Sequence, residues 1–380
     1  MALTDSVLNL AYSLLDNGLI PDFLLRPIAR FLSRQRLRQI DKRSFEANHA
    51  AKIEFIHHLR TRADIAICTK EANQQHYQIP TKFILSCLGP HAKYSACLYP
   101  TGKETLAQAE LLMLESYCHK AKLGGGLDVL DLGCGWGSLA LYLAQKYPTS
   151  RITALSNSSS QKTYIENKAT ERGLTNLEVI TADVNTFDFE GKKYFDRILS
   201  IEMFEHMKNY EALLCKISSW LRPHPPPNPN PNSPNTPNST PDSPKAMFVH
   251  RDKPYHFEED GGWMGRTFFS GGTMPSHDLL LYFQKDLTHL QSWYLNGKHY
   301  TRTLEDWLAR QDMNAREGMG ELVRAYAQGE QGGGEGRKVF YRFRVFYIAC
   351  SEFFGLNGGE EWGIGHYLFK AKDHRSSSSR

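Results

Sequence analysis

One stretch limits the choice of fold more than any other: Asp128 to Gly137, DVLDLGCGWG. A short apolar run carries an acid, Asp131, near its end and breaks into glycines at 133, 135 and 137. Behind it, Ser138 to Tyr147 has apolar residues at helical spacing and stops before Pro148, so the unit reads as strand, glycine turn, helix. Glycines let a ligand approach backbone that a side chain would otherwise cover, and the following helix points its amide-rich end at the same place. Such a unit opens a nucleotide-binding half-sheet.

An α/β rhythm continues downstream. Arg151 to Ser156 reads as a strand, Ser158 to Glu171 as a helix, Leu177 to Asp183 and Phe195 to Glu202 as strands, and Tyr210 to Leu221 as a helix. Strands alternating with helices build a parallel, doubly wound sheet, whose ligands sit outside the carboxyl ends of the strands. Asn157, Asp183 and Glu202 fall at such ends, on one rim with the glycines. A dinucleotide fingerprint needs its third glycine where Ser138 stands, so an oxidoreductase is the weaker reading.

Around this core the organisation is uneven. Residues 1–92 read as an N-terminal helical segment, in which Phe23 to Leu32 is apolar on one side and runs into Arg34, Arg36, Arg38 and Lys42. A membrane-surface helix burying Phe23, Leu24, Ile28 and Phe31 is one reading. The favoured one is a helix packed on the main domain, because amphipathic helices usually turn their apolar side to a core. Residues 93–222 form the sheet core. Residues 223–244, nearly all Pro, Asn, Ser and Thr, read as a disordered insertion. Residues 245–372 complete the core and supply a cap, with a glycine-rich loop at Gln328 to Arg337, and 373–380 form a frayed tail.

Composition excludes more than it indicates. Charged residues at 23% and a net charge of +4 over 380 residues give no nucleic-acid signature, and no zinc-finger or RNA-binding pattern accompanies them. The 7 cysteines are scattered without a Cys-x-x-Cys pair, which reads as reduced thiols with no metal site. Neither a secretory leader nor an apolar run of membrane-spanning length is visible, so the expected compartment is the cytoplasm.

The glycine stretch resembles the first motif of class I S-adenosylmethionine methyltransferases, where the glycines make room for the amino-acid part of the cofactor. That cofactor brings its own activated methyl, leaving the enzyme to align an acceptor lone pair and remove a proton. Ser200 to Tyr210, SIEMFEHMKNY, suits such work: Glu202, Glu205 and His206 put two carboxylates and an imidazole within five positions at a strand end. A carboxylate can hold an ammonium and a histidine can take its proton. The competing reading has Glu205 complementing the start of a Met207 to Leu221 helix with His206 solvated, and local sequence weighs the two equally.

From Tyr94 to Lys370 the chain resembles the cyclopropane fatty acid synthase superfamily, and within it the coclaurine N-methyltransferases of plant alkaloid pathways. The matching stretches are Tyr94-Ser95, Thr105 to Glu110, Val129 to Ser138, Ser156 to Gln161, Phe195 to Ile198, Glu202 to Glu211, Leu280 to Gln284, Trp293 to His299 and Asn357 to Trp362. The resemblance implies a Rossmann-like class I methyltransferase fold with a C-terminal helical cap. It implies that S-adenosyl-L-methionine contacts Tyr94, Ser95, Asp131, Gly133, Gly135, Gly137, Asn157, Gln161, Asp183 and Val184. Glu202, Glu205 and His206 become the catalytic group, with Glu205 and His206 as proton acceptors and Glu202 orienting, while Phe204, Glu361 and Trp362 line the substrate wall. Cyclopropane synthases of this type carry a cysteine directly after the Tyr-Ser pair, as part of a bicarbonate site. Here that position is Ala96, with Cys97 one residue late, which favours methylation of a small-molecule arylalkyl or alkaloid-like amine. The competitors are a lipid methylene transferase and a non-catalytic scaffold that binds the cofactor.

Overall fold

The computed structural model describes residues 2–67, 79–223, 244–251, 255–256, 263–268, 270–327 and 332–372. The insertion expected at 223–244 therefore falls outside the described residues apart from its two ends, as does the tail at 373–380.

Five parallel strands form the heart of the molecule: β1 (Asp128–Leu132), β2 (Arg151–Ser156), β3 (Leu177–Thr181), β4 (Arg197–Ile201) and β5 (Lys245–Arg251). Two short strands, β6 (Tyr255–His256) and β7 (Thr273–Met274), pair as a separate ribbon. The long strands β8 (Leu287–Asn296) and β9 (Gly363–Ala371) complete a seven-stranded sheet in the order β3-β2-β1-β4-β5-β9-β8, with the last two joined antiparallel. Every residue of β1 is buried, as a strand covered on both faces requires. Its alternation sends Val129 into the apolar cluster on one side of the sheet and Leu130 and Leu132 into that on the other. The chain runs outward from β1 to β3 and then crosses back to β4. The strand order thus reverses between β1 and β4, and a crevice opens there at the carboxyl ends.

Helices cover both faces. In chain order they are α1 (Ala2–Asp16), α2 (Asp22–Ile40), α3 (Phe45–Arg60), α4 (Thr81–Cys87), α5 (Leu106–Lys120), α6 (Ser138–Lys146), α7 (Ser159–Glu171), α8 (Tyr210–Trp220), α9 (Trp263–Phe268), α10 (Lys298–Met313), α11 (Ala315–Ala327) and α12 (Gly332–Phe354). The last three form the C-terminal cap. Thr105 starts α5 with a complete capping box, its hydroxyl on the Gln108 amide and the Gln108 side chain on the Thr105 amide.

Two expectations are corrected here. Gly332 to Arg337 belong to α12 and not to a glycine-rich loop. A Cβ at Gly336 would lie 2.6 Å from the backbone of Leu322, so glycine permits the close crossing of α12 on α11. The second concerns α2, which lies against the cap by its charged side. Arg26 bonds Glu305 at 2.7 Å and Glu352 at 3.0 Å, and Arg30 reaches Glu352 at 2.7 Å. Arg344 bonds Asp22 at 2.5 Å. Leu25 and Ser33 are buried on that side, while Phe23 and Phe31 stay 73% and 62% exposed. The helix packs on the main domain as expected, but with its apolar side outward. Among the described residues no helix is long and apolar enough to cross a membrane.

Candidate active site

The turn after β1 is built from glycines because its backbone turns left-handed. At Gly137 (φ +75°) a Cβ would strike Ile165 at 2.6 Å, so glycine there lets α6 and α7 close up behind the turn. At Gly135 (φ +52°) a Cβ would meet nothing within 4 Å. That residue faces an open cleft of about 1150 Å³, part of it continuous with solvent.

Tyr94, Ser95, Asp131, Gly133, Gly135, Asn157, Gln161, Asp183, Val184, Glu202 and His206 all line this cleft. The sheet topology brings them together: Asp131 from β1, Asn157 just past β2, Asp183 and Val184 past β3, and Glu202 past β4. Gly137 does not face the cleft and supports the turn from behind. Asp131 is 2% exposed, and burial pushes its carboxyl up to about 7. Its Oδ2 has no hydrogen-bond partner among the described residues, nor has the buried Nε2 of Gln161, whose Oε1 accepts from the Ser156 hydroxyl at 2.6 Å. An open acceptor and an open donor beside an uncovered glycine backbone suit a ligand with an ammonium and further polar groups. S-adenosyl-L-methionine meets that description.

Glu202 has φ +50°, a left-handed conformation that costs a non-glycine residue about 1–2 kcal/mol. What holds it there is visible. One carboxylate oxygen accepts from the Ala96 amide at 2.8 Å and the other from the Tyr300 hydroxyl at 2.9 Å. The loop from Lys93 to Tyr99 is thereby strapped to the end of β4 and to α10. Further ties are the Cys97 amide to Thr303 Oγ1 at 3.0 Å, the Tyr99 amide to His299 Nδ1 at 3.1 Å, and the Tyr94 ring stacked on Trp307 at 5.3 Å. Cys97 itself is buried, is not part of the cleft lining, and has its thiol pushed up to about 12 by burial.

Sequence reasoning missed two parts of this wall. Lys93 is 2% exposed, and its ammonium donates to Ser95 Oγ at 2.5 Å, the Ala96 carbonyl at 2.6 Å and the Tyr117 hydroxyl at 3.2 Å. Burial lowers its pKa. A lysine heading the otherwise uncharged run from Tyr94 to Tyr99 was the available signal. Ala66 and Ile67 also line the cleft, although they belong to the N-terminal helical segment. Asn185 holds Ala66 there through its backbone N–H and C=O, at 2.9 and 3.0 Å. Such a long-range pairing leaves no local pattern.

Past β4, Phe204 to His206 form one turn of 3₁₀ helix. His206 faces the cleft, whereas Glu205 is 2% exposed and lies behind the lining. α8 begins only at Tyr210 and is capped by Asn209, whose Oδ1 accepts from the Ala212 amide at 2.9 Å. The helix-start reading of Glu205 therefore does not describe this turn. The three wall residues expected from the sequence lie elsewhere. Phe204 is fully buried between Tyr210 and Phe248, with ring centroids 5.9 and 4.6 Å away. Trp362 is fully buried against Phe353 at 3.8 Å. Glu361 accepts from Asn357 Nδ2 at 2.7 Å outside the cleft lining. Large rings next to β4 and β9 are drawn into the sheet's own apolar layers.

Comparison with known proteins agrees with this architecture. The mycolic acid cyclopropane synthetase family model matches residues 66–327. (S)-Coclaurine N-methyltransferase of Thalictrum flavum subsp. glaucum is 38% identical over 366 residues, covering 94% of this chain and 94% of that protein. The protein of the same name from Papaver somniferum is 35% identical over 363 residues, covering 93% and 96%. The crystal structure of a coclaurine N-methyltransferase bound to N-methylheliamine and SAH matches with a TM-score of 0.85 at 35% identity, over 97% of this chain and 100% of that one. The chain therefore belongs to the mycolic acid cyclopropane synthetase family and is an S-adenosyl-L-methionine-dependent N-methyltransferase.

Proposed function

We propose that the acceptor is the nitrogen of an arylalkyl, alkaloid-type amine of the coclaurine class, and that His206 takes its proton. The observation that carries this reading is the position of His206 on the cleft wall, next to the rim that holds the glycine turn. When bound, S-adenosyl-L-methionine supplies a methyl group on a sulfonium. An alkyl amine has a pKa of about 10 and arrives mostly as an ammonium at neutral pH, so its lone pair has to be released before it can react. The imidazole of His206 is suited to accept that proton. Glu202 is committed to Ala96 and Tyr300, and its task is to hold the Tyr94–Ala96 loop against the cleft. Glu205 is buried in the same 3₁₀ turn as His206 and lies outside the cleft lining.

The loop from Lys93 to Tyr99 orders one side of the cleft, and the cap within residues 245–372 supports that side from behind. Tyr300 and Trp307 of α10 carry that support. Phe204 and Trp362 shape the wall as buried supports and do not touch the acceptor.

The test uses S-adenosyl-L-methionine with a fully deuterated methyl, offered to arylalkyl amines and, in parallel, to vesicles of unsaturated phospholipid. An amine product that keeps all three deuteriums is expected. A lipid product that keeps two is methylene transfer and overturns the reading.

A further inference from the structure

Helix α2 is turned inside out relative to an ordinary surface helix. Its charged side, through Asp22, Arg26 and Arg30, is consumed by ion pairs to α10 and α12, and the only residues buried along it are Leu25 and Ser33. Its outer side carries Phe23 (73% exposed), Leu24 (46%), Ile28 (49%), Phe31 (62%) and Leu32 (54%). At 100° per residue these five positions span half the circumference, well over the apolar stripe a surface helix needs for a core it does not face here. A monomeric protein does not expose such a contiguous patch without use for it.

The chemistry of the patch identifies its partner. From Phe23 to Ile40 the helix carries five arginines and no acid. Past Leu32 the outer side turns basic, with Arg34 and Arg38 exposed and without ion pairs among the described residues, followed by exposed Lys42 and Arg43. A second copy docked on this side would bring more arginines against arginines. A surface that offers apolar depth and negative charge together is the headgroup region of an anionic bilayer. We propose that the outer side of α2 is a peripheral membrane-docking surface: Phe23, Leu24, Ile28, Phe31 and Leu32 enter the interface, and Arg34, Arg38 and Lys42 meet anionic headgroups. Such a helix lies in the membrane plane and does not cross it. The cleft is lined by other elements, so docking and methyl transfer are separable.

Flotation of the full chain with vesicles tests this. Binding to phosphatidylcholine vesicles containing a quarter phosphatidylserine is expected to exceed binding to pure phosphatidylcholine by at least about tenfold, and to fall in high salt. A Phe23→Ser, Ile28→Ser, Phe31→Ser variant should lose at least about tenfold of this binding, since all three side chains already face solvent and removing them leaves folding and turnover on a soluble amine intact. An Arg34→Glu, Arg38→Glu variant should lose the preference for anionic vesicles. Failure of the wild type to bind either vesicle, or binding that survives both variants, overturns the proposal. So does a concentration-dependent dimer that the serine variant dissolves while no vesicle binding is seen, because the patch would then be an interface between copies.

Discussion

A buried carboxyl left with an unpaired oxygen is costly to charge, and burial pushes Asp131 up to about 7 from its ordinary value of about 3.9. Its folded-state pKa lies above its unfolded one, so the folded, ligand-free chain holds the proton more tightly. The contribution to stability is complete below about pH 4 and is lost as pH rises through 7. Thermal melts of the ligand-free protein should show this fall between about pH 4 and 7, and Asp131→Asn should flatten it; equal slopes in the two proteins would remove Asp131 as the cause. A ligand ammonium reverses the preference, so stabilisation by SAH should be greater at pH 8 than at pH 5.5. For His206, loss of a proton acceptor at the reacting centre predicts a 10²–10⁴-fold drop in kcat for His206→Ala, with the thermal shift produced by SAH unchanged. An unaffected kcat would move the proton transfer elsewhere. Asp131 stands out in the sequence because it lies near a strand end before a glycine turn, and His206 because it follows two carboxylates past another strand. Phe204 and Trp362 were misplaced for the same kind of reason: nothing local tells a ring that covers a substrate from a ring that fills a sheet's apolar layer.

At the level of elements, the loop from Lys93 to Tyr99 matters most, because it is held in place almost entirely by others. The chain just past β4 contributes Glu202, α10 contributes Tyr300, Thr303 and His299, and α5 contributes Tyr117. Tyr300→Phe removes one hydrogen bond to the half-buried carboxylate of Glu202, worth about 1.5–3 kcal/mol. Cofactor affinity is expected to weaken by roughly tenfold or more, while turnover of the saturated enzyme stays within about threefold. Calorimetric titration with SAH alongside kcat separates the two, and an unchanged affinity would mean that the loop holds its place without this strap. The strands and helices of the core could be read from periodicity, but these ties could not, since their members are about 100 to 200 positions apart in the chain. The same holds for Gly332 to Arg337, where a glycine run that suggests a loop instead allows two helices to touch. It holds also for α2, whose pattern gives its amphipathic character but not which side is turned inward.

On the scale of the whole molecule, the two ends of the sheet do different work. The carboxyl ends hold the cleft, and the amino ends are tied by ions. Asp128 accepts from Arg151 and Arg222 at 2.6 Å each, and Asp196 accepts from Arg222 at 2.7 Å. At this end lie both Arg222, before residues 224–243, and the start of β5 after them, whose Lys245 pairs with Arg197 at the start of β4. Replacing residues 224–243 by a short glycine-serine link should therefore leave kcat/KM within about twofold. A loss beyond tenfold would mean that the segment reaches the cleft. A different consequence follows from the strand order. β9 sits between β5 and β8, and β8 has no other neighbour in the sheet among the described residues, yet β9 follows both in the chain. While the chain is on the ribosome, β5 presents an open edge and β8 has nothing to pair with until β9 has emerged. Until β9 is made, both edges stay open to wrong pairing, so growth temperature and chaperone supply during expression are expected to alter the yield of active enzyme.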